Sequence, residues 1–511
     1  MSVGTGEGAA TQTIGSGAVV PSHPRTLHDL VRDLPDAELR GNGDVIVSSV
    51  CYRSSDARPG TLFFCVPGSS ADGHAFAGDA VSRGSTAIVV DRWLDMDVPQ
   101  INVPDVRAAM GPISAAFYGR PADAMTIVGV TGTNGKTTTT FLLEAIFRAD
   151  GRTPGVIGTT GIRIDGRPEP FPRTTPEAPD LQRLVAEMAD EGVTAVAMEV
   201  SSHGLDQHRV DGIRYSVAVF TNLTQDHLDY HPSMQEYFLA KSRLFTPAMS
   251  DRAVVNLDDE RGRSLTASGL PTITYGLAPD ADVRGTEVES NAEGIAFLAD
   301  GVPVRSALRG SFNVENALAA FATARSLGIA DRVAADAISS VRGVPGRVEA
   351  VEVGQGFLVM VDYAHTPNSV ENVLRAARSL TQGRLIVVLG AGGDRDRAKR
   401  PHMGRAATAN ADLAIVTSDN PRSEDPLAII AEMTPGAEQG GGRFVVEPDR
   451  RAAIRLAMEE ASSGDVVVIA GKGHETYQEL ADRTIPFDDR AVAIDELRSI
   501  GKATRPLGTA P

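Results

Sequence analysis

An uncharged, mostly apolar run, Met125–Val130, leads straight into a glycine-rich stretch and then into a helical pattern over Lys136–Ala149 that Gly151 closes. An unbroken apolar run of this length predicts a strand buried on both faces. The pattern then repeats. Strands are expected at Thr194–Val200 and Ser216–Phe220, and a helix at Val314–Leu327. Residues Asp280–Arg305 alternate in short segments separated by turns, which predicts an antiparallel edge. Before this region lies a shorter segment, Leu27 to Arg120, with strands at Thr61–Val66 and Thr86–Val90 and a helix around Phe76–Arg83. After Val344-Pro345-Gly346 come buried strands at Leu385–Leu389, Leu413–Thr417 and Val466–Ala470, each ending in a polar or glycine-rich loop. Strands alternating with helices give parallel sheets covered on both faces, so the fold class is α/β.

A chain of 511 residues exceeds one ordinary core, and roughly 150 residues per domain suggests about three. The breaks at Pro121 and Pro345 divide it into 25–121, 122–345 and 346–511. Residues 1–24 lack the basic start and apolar centre of a signal peptide and read as a mobile tail. Open α/β sheets bind ligands at the carboxyl ends of their strands, so the loops there are where chemistry is expected.

Composition narrows the partners. A formal charge of −17 argues against nucleic acid, which needs a basic face, but allows a small anion in a locally basic pocket. No apolar run reaches the roughly 18 residues that a membrane span needs. Cys51 and Cys65 are too few for a disulfide framework; they read as small core residues and suit a reducing cytoplasm.

The strand–loop–helix order around Thr131-Gly132-Thr133-Asn134-Gly135-Lys136-Thr137-Thr138 is the context of a phosphate-binding loop. Backbone N–H groups from Gly132 to Lys136 would cradle phosphates at a helix N-terminus, Lys136 would reach the outer phosphates, and the Thr137 hydroxyl would ligate Mg²⁺. Val130 stands where the common pattern has its first glycine, with Gly129 one residue early. Four histidines close in sequence, His203, His208, His227 and His231, raise zinc as an alternative metal. Their spacing matches no common zinc pattern.

Further motifs lie in order along the chain: Met198-Glu199-Val200-Ser201-Ser202-His203-Gly204-Leu205, Thr221-Asn222-Leu223, Asp226-His227-Leu228-Asp229-Tyr230-His231, Asp362-Tyr363-Ala364-His365-Thr366-Pro367, Gly393-Asp394-Arg395-Asp396 and Gly471-Lys472-Gly473-His474-Glu475. With the phosphate loop they resemble the Mur ligases of peptidoglycan synthesis and the related folylpolyglutamate synthases, over roughly residues 50 to 480. The resemblance implies an N-terminal α/β UDP-binding domain, a central P-loop ATPase domain with a mostly parallel sheet, and a C-terminal Rossmann-like domain that closes on the amino-acid substrate. It implies ATP as co-substrate and two Mg²⁺ ions held by Thr137, Glu199, His227 and Lys241, the last as a CO₂-derived carbamate (N6-carboxylysine). Lys136, Glu199, His227 and Lys241 form the implied catalytic set. A neutral, buried lysine can capture CO₂ and become an anion able to hold Mg²⁺; without the resemblance, Lys241 reads as an ordinary helical lysine.

The resemblance assigns ATP contacts to Gly132, Thr133, Asn134, Gly135, Lys136, Thr137, Thr138, Asn313, Asn316, Arg347 and Asp362; helix capping is an equal reading for Asn313. UDP-N-acetylmuramoyl-L-Ala-D-Glu is implied to touch Tyr52, Ser54, Ser69, Ser70, Ala71, Thr174, Thr175, Ser201, Gln207 and Arg209. The loop Asp419-Asn420-Pro421-Arg422, with Arg395, Gly471 and Glu475, matches the family pocket for meso-diaminopimelate. Arg422 can take that substrate's distal carboxylate bidentately and Glu475 its ammonium. A lysine substrate would leave the arginine unpaired. The implied protein is a cytoplasmic monomer with no membrane or nucleic-acid partner. Alternatives are the lysine-adding relative, a folylpolyglutamate synthase and, from another class, a P-loop NTPase switch that hydrolyses nucleotide without an amino acid.

Overall fold

The structure, a computed structural model, describes residues 25–68, 71–169, 171, 173–291 and 293–503. The expected tail at 1–24 lies outside the described residues. The chain divides into two compact units, one running to Pro121 and including Ala178–Asp190, the other holding Ala122–Glu177 and everything from Glu191.

In the first unit, five strands lie in the order Glu38–Arg40, Gln100–Asn102, Ser85–Val90, Thr61–Phe64, Ser49–Cys51, parallel except for the first. Leu62, Phe64, Ala87, Val89 and Ile101 form its core with the helix Val106–Phe117. Asp105 starts that helix by accepting from the N–H groups of Arg107 and Ala108. The helix Ala178–Asp190 packs against it with Leu181, Leu184, Val185 and Met188 buried, spacings that put all four on one helical face. This helix falls within the segment 122–345 and was not among the elements expected from the sequence, although its apolar period is regular. Cys51 and Cys65 are buried and unpaired, and burial pushes both thiols up to about 12.

The second unit holds two larger sheets. In the first, Thr126–Thr131 lies between the parallel strands Ala195–Glu199 and Val217–Phe220. Ala253–Asn256 and Thr272–Gly276 continue the parallel order. An antiparallel meander, Val283–Asn291, Gly294–Ala299 and Val302–Ser306, then finishes that edge where the sequence predicts it. At the opposite edge Pro154–Gly158 pairs with Ala195–Glu199 and carries two short antiparallel strands. The helix Lys136–Ala149 packs on the sheet beside the helix Phe312–Ser326, whose Ala317, Ala319, Ala320, Ala322 and Ala324 are all buried. Small residues let the helices approach closely, and the two share one core.

The last sheet has the order Glu349–Val351, Leu358–Asp362, Val466–Ala470, Leu385–Ala391, Leu413–Ser418, Arg443–Val446, all parallel but the first. Behind its strand ends sits a fully buried ion pair, Arg450 Nη2 to Asp489 Oδ2 at 2.6 Å, both side chains 0% exposed. The same guanidinium donates to the carbonyls of Ser418 and Ala470, the last residues of two strands. Among the described residues no helix is long and apolar enough to cross a membrane.

Removing one member of such a pair leaves a buried charge unmatched. Asp489→Ala should cost about 3–5 kcal/mol, read as a lowered urea midpoint, whereas an exposed pair such as Arg332–Asp336 should contribute under about 1 kcal/mol.

Candidate functional site

The phosphate loop follows the central strand as the sequence predicts, and neighbouring residues staple it in place. Gly132 has φ 144° and Gly135 φ 88°, conformations that side chains rarely adopt. A Cβ on Gly132 would collide with the Thr221 hydroxyl, and one on Gly135 with Asn316 Oδ1. Thr133 N donates to Asn222 O at 2.8 Å, Asn134 N to Asn222 Oδ1 at 2.9 Å, and Thr221 Oγ1 to Asn134 O at 2.6 Å. Thr221 and Asn222 thus fix the loop. The early glycine also has a cause: a Cβ on Gly129 would lie 2.8 Å from the Tyr215 ring, so this glycine serves packing beneath the sheet rather than phosphate.

Asn316 lines a cavity of about 310 Å³ with Gly135, Thr137, Thr138, Arg347 and Asp362. Asn313 stands behind it, accepting from Asn316 Nδ2 at 2.9 Å and donating to Arg309 O at 2.7 Å. Asn313 is inside the helix and Ser311 is at its start, so the capping reading of Asn313 does not hold. Arg347 crosses from the last sheet to donate to Thr137 Oγ1 at 2.9 Å. Burial raises the Asp362 carboxyl, opposed by Arg347 and by N–H donors from Val348 and Ala364.

Glu199 closes its strand only 1% exposed. Its carboxylate accepts from the Thr137 hydroxyl at 2.9 Å and from the N–H and hydroxyl of Thr159. Lys136 Nζ donates to the carbonyls of Gly132 and Thr133, and Lys241 Nζ donates to the same Gly132 oxygen at 3.0 Å. Lys241 is 1% exposed on the helix Met234–Ser242. Burial first, then Lys136, pushes its ammonium well below the ordinary range, against the pull of Asp226. Burial also lowers His227 to about 3, leaving an imidazole free to ligate. A hydroxyl and a dry carboxylate 2.9 Å apart are oxygen donors of the kind Mg²⁺ takes, so these residues fit the ion. Three of the histidines pack ring against ring, His203 lying 4.8 Å from His227 and 5.6 Å from His231 between ring centres. His208 bonds Asp211, however, His231 bonds Ser202, and among the described residues no group of three or more His, Cys, Asp or Glu side chains is arranged to hold a metal.

A cavity of about 720 Å³ joins this region to the last sheet, lined by Asp226, His227, Arg395, Asp419, Arg422 and Glu475 among others. Burial would raise the Asp226 carboxyl, but Lys399 at 3.1 Å, with His365 and His227, holds it well below its usual range. Arg422 has φ 51°; its Nη1 donates to Gly393 O at 2.7 Å and its Nε pairs with Glu479 at 3.0 Å. Arg395 donates to the carbonyl of Asp394. Pro421 crowds its carbonyl against Gly393, where any Cβ would collide, and Gly471 sits as close to Asp419. Asn420 Nδ2 donates to Glu475 Oε2 at 2.7 Å. Glu475 also holds the buried Lys472 at 3.2 Å, a residue given no role in the sequence reading although two of its motif neighbours were. Lys399, Glu479 and Thr159 went equally unassigned, because only the fold brings them to the site.

The residues expected to hold the nucleotide dipeptide fall in both units. In the first, Tyr52 OH donates to Asp180 Oδ2 at 2.8 Å, Ser54 opens a short 3₁₀ turn and Ala71 is exposed; Ser69 and Ser70 lie outside the described residues. In the second, Thr174 lines the large cavity and bonds Thr159 at 3.1 Å. The Thr175 hydroxyl donates to Glu199 O, and Ser201 caps the helix Ser202–Asp206. Arg209 pairs with Glu177 at 3.1 Å and donates to Gln207 at 2.6 Å, so it is no loose surface arginine.

Known proteins resemble this chain along most of its length. Family models described as Mur ligase family catalytic domain, Mur ligase middle domain, and Mur ligase glutamate ligase domain match residues 46–118, 130–324 and 346–473. The chain is 48% identical over 482 residues to a UDP-N-acetylmuramoyl-L-alanyl-D-glutamate--2,6-diaminopimelate ligase of Geobacillus thermodenitrificans, covering 91% of this chain and 98% of that one. A ligase of the same name from Streptomyces avermitilis is 45% identical, covering 92% and 97%. A solved structure bearing that name is 33% identical with a TM-score of 0.67, covering 94% of this chain and 99% of that one. A Mycobacterium tuberculosis folylpolyglutamate synthase complexed with ADP and AMPPCP shares the fold at 18% identity, TM-score 0.60, covering 77% and 94%.

Gly132→Ala tests the loop. The added methyl must displace Thr221 or Asn222, and affinity for a non-hydrolysable ATP analogue should fall by at least about tenfold in calorimetry, with the strained backbone also lowering stability by about 1–3 kcal/mol in urea unfolding.

Proposed function

The chain belongs to the Mur ligase family, and from that premise we propose that it joins meso-diaminopimelate to the D-glutamyl γ-carboxylate of UDP-N-acetylmuramoyl-L-Ala-D-Glu, spending ATP through an acyl phosphate. One observation carries the reading: a single cavity is lined both by His227, beside the phosphate loop, and by Asp419, Arg422 and Glu475. An activated carboxyl and an incoming diamino acid can meet there. A bare nucleotide switch has no use for the second group of residues.

Lys136 and the loop N–H groups would hold the γ-phosphate in line with the substrate carboxylate, a reaction that needs positioning more than covalent help from the protein. Arg347, already on the Thr137 hydroxyl, adds positive charge from the opposite sheet. The substrate carboxylate attacks phosphorus, ADP leaves, the free amine attacks the acyl carbon, and inorganic phosphate departs. Thr137, Glu199, His227 and a carbamylated Lys241 would hold Mg²⁺, which neutralises phosphate charge when bound. The buried Lys241 amine, crowded by Lys136 on one carbonyl, supports the carbamate, because an anion there would face the Lys136 ammonium rather than add a second cation beside it. Contacts binding the last sheet to the central one, Lys399–Asp226 and His474 Nε2 to Thr159 O at 3.0 Å, would help keep water from the acyl phosphate. At the far end of the amino acid, Arg422 would take the distal carboxylate and Glu475 the ammonium.

Phosphate release with UDP-N-acetylmuramoyl-L-Ala-D-Glu and ATP should require meso-diaminopimelate, with lysine supporting less than about a hundredth of that rate. Equal rates with lysine overturn the specificity, and turnover without any amino acid overturns the ligase. Lys136→Ala should lower kcat by at least about a thousandfold. Incubation with ¹³C-bicarbonate should give a carbamate carbon resonance that Lys241→Met lacks; a resonance surviving in the variant excludes this site.

A further inference from the structure

Lys472 is 0% exposed, and a buried ammonium is tolerated only where partners surround it. Its Nζ donates to Asn420 Oδ1 at 2.9 Å and to Glu475 Oε2 at 3.2 Å, lies 3.7 Å from Asp419 Oδ1, and sits 5.6 Å from the centre of the Tyr477 ring. Asn420 passes the link onward: its Oδ1 also accepts from the Glu479 N–H, and Glu479 pairs with Arg422. One amine therefore connects both ends of the pocket, the acidic end at Asp419 and Glu475 and the basic end at Arg422.

We propose that Lys472 is a positioning residue for the amino-acid substrate, its ammonium clamping Asp419, Asn420 and Glu475 into the arrangement that receives the substrate's distal ammonium. Both hydrogen bonds to Glu475 end on Oε2, and none among the described residues ends on Oε1, which is left to take the ligand. Two carboxylates against one ammonium leave a single net negative charge, matched to one substrate ammonium. Burial and then Asp419 push the Glu475 carboxyl above its ordinary range, while Lys472 pulls it back. The other ionisable groups facing Glu475 are Arg450, Tyr363 and Tyr477, of which only Arg450 is cationic, and it is committed to Asp489. Lys472 is thus the cation that touches Glu475 directly. The inference rests on the diaminopimelate reading above and extends it to a residue that reading does not use.

The test uses the full chain. Lys472→Met should raise KM for meso-diaminopimelate by at least about tenfold, with KM for ATP and for the nucleotide dipeptide unchanged within about threefold. The excess in KM over the wild type should shrink as pH rises from about 6.5 to 8.5, because a Glu475 that has lost its cation titrates higher and recovers its charge only at higher pH. On a Glu475→Gln background the same substitution should add less than about threefold. If Lys472→Met does not fold, Lys472→Gln, which keeps an amide donor without the charge, replaces it with the same expectations. An unchanged KM for the diamino acid, a loss confined to kcat, or full additivity with Glu475→Gln overturns the proposal. A wild-type chain that fails to use diaminopimelate removes the underlying reading and this inference with it, an outcome separate from the variant results.

Discussion

Two lysine side chains end on one carbonyl oxygen, that of Gly132, Lys241 fully buried and Lys136 partly so. Much of the centre can be read as a response to that crowding. A single backbone oxygen balances two neighbouring ammonium groups poorly, and burial lowers the proton affinity of both, with Asp226 acting against the shift. Lys241, fully enclosed on its helix, is pushed well below its ordinary range, while Lys136 has the Glu199 carboxylate in its field. The loop geometry that brings the two together is imposed by Thr221 and Asn222 on the neighbouring strand end, and by glycines whose backbone angles leave no room for a side chain there.

The pocket around Asp419 and Glu475 handles charge differently, setting each cation against carboxylates and leaving one negative charge over. Lys472 among Asp419 and Glu475, Arg422 with Glu479, and Arg450 with Asp489 are cations matched to carboxylates within one layer of strand ends. Specificity in such a pocket comes from which pairs a ligand can join without leaving a partner exposed. A diamino acid with two charges at its far end can satisfy both ends at once; a simple amine can satisfy only one.

Much of this was legible in the sequence because the relevant groups follow buried strands. The phosphate loop, Glu199, Asp419 and Gly471 each stand at the end of a strand that an apolar run announces without tertiary information. Asp362, by contrast, ends a strand that was not expected, and the parts given to Asp362, Asp419 and Gly471 came from the family resemblance. The helix Lys136–Ala149 appears with its expected bounds because a glycine stands just outside each end. Residues that act across sheets left no such trace. Lys399 reaches Asp226 over 173 positions and Arg347 reaches Thr137 over 210, distances at which no local period operates. Lys472 was hidden differently: it sits inside a quoted motif, but only its burial distinguishes it from a solvated lysine. The helix Ala178–Asp190 was not among the expected elements despite a regular apolar face; Pro179 in its first turn and the prolines at 168, 170, 172 and 176 mask its start.

The contact between Gly129 and Tyr215 carries a consequence for how such chains diversify. The glycine opens space for the ring, and the ring fills it, so neither position can drift alone: a larger residue at 129 meets the aromatic edge, and a smaller one at 215 leaves a hole beneath the central strand. Moving the glycine one step along, to the place where most phosphate loops carry it, would demand coordinated change in two strands. The unusual spelling of this loop is therefore held in place from below, by hydrocarbon, and is indifferent to the nucleotide above.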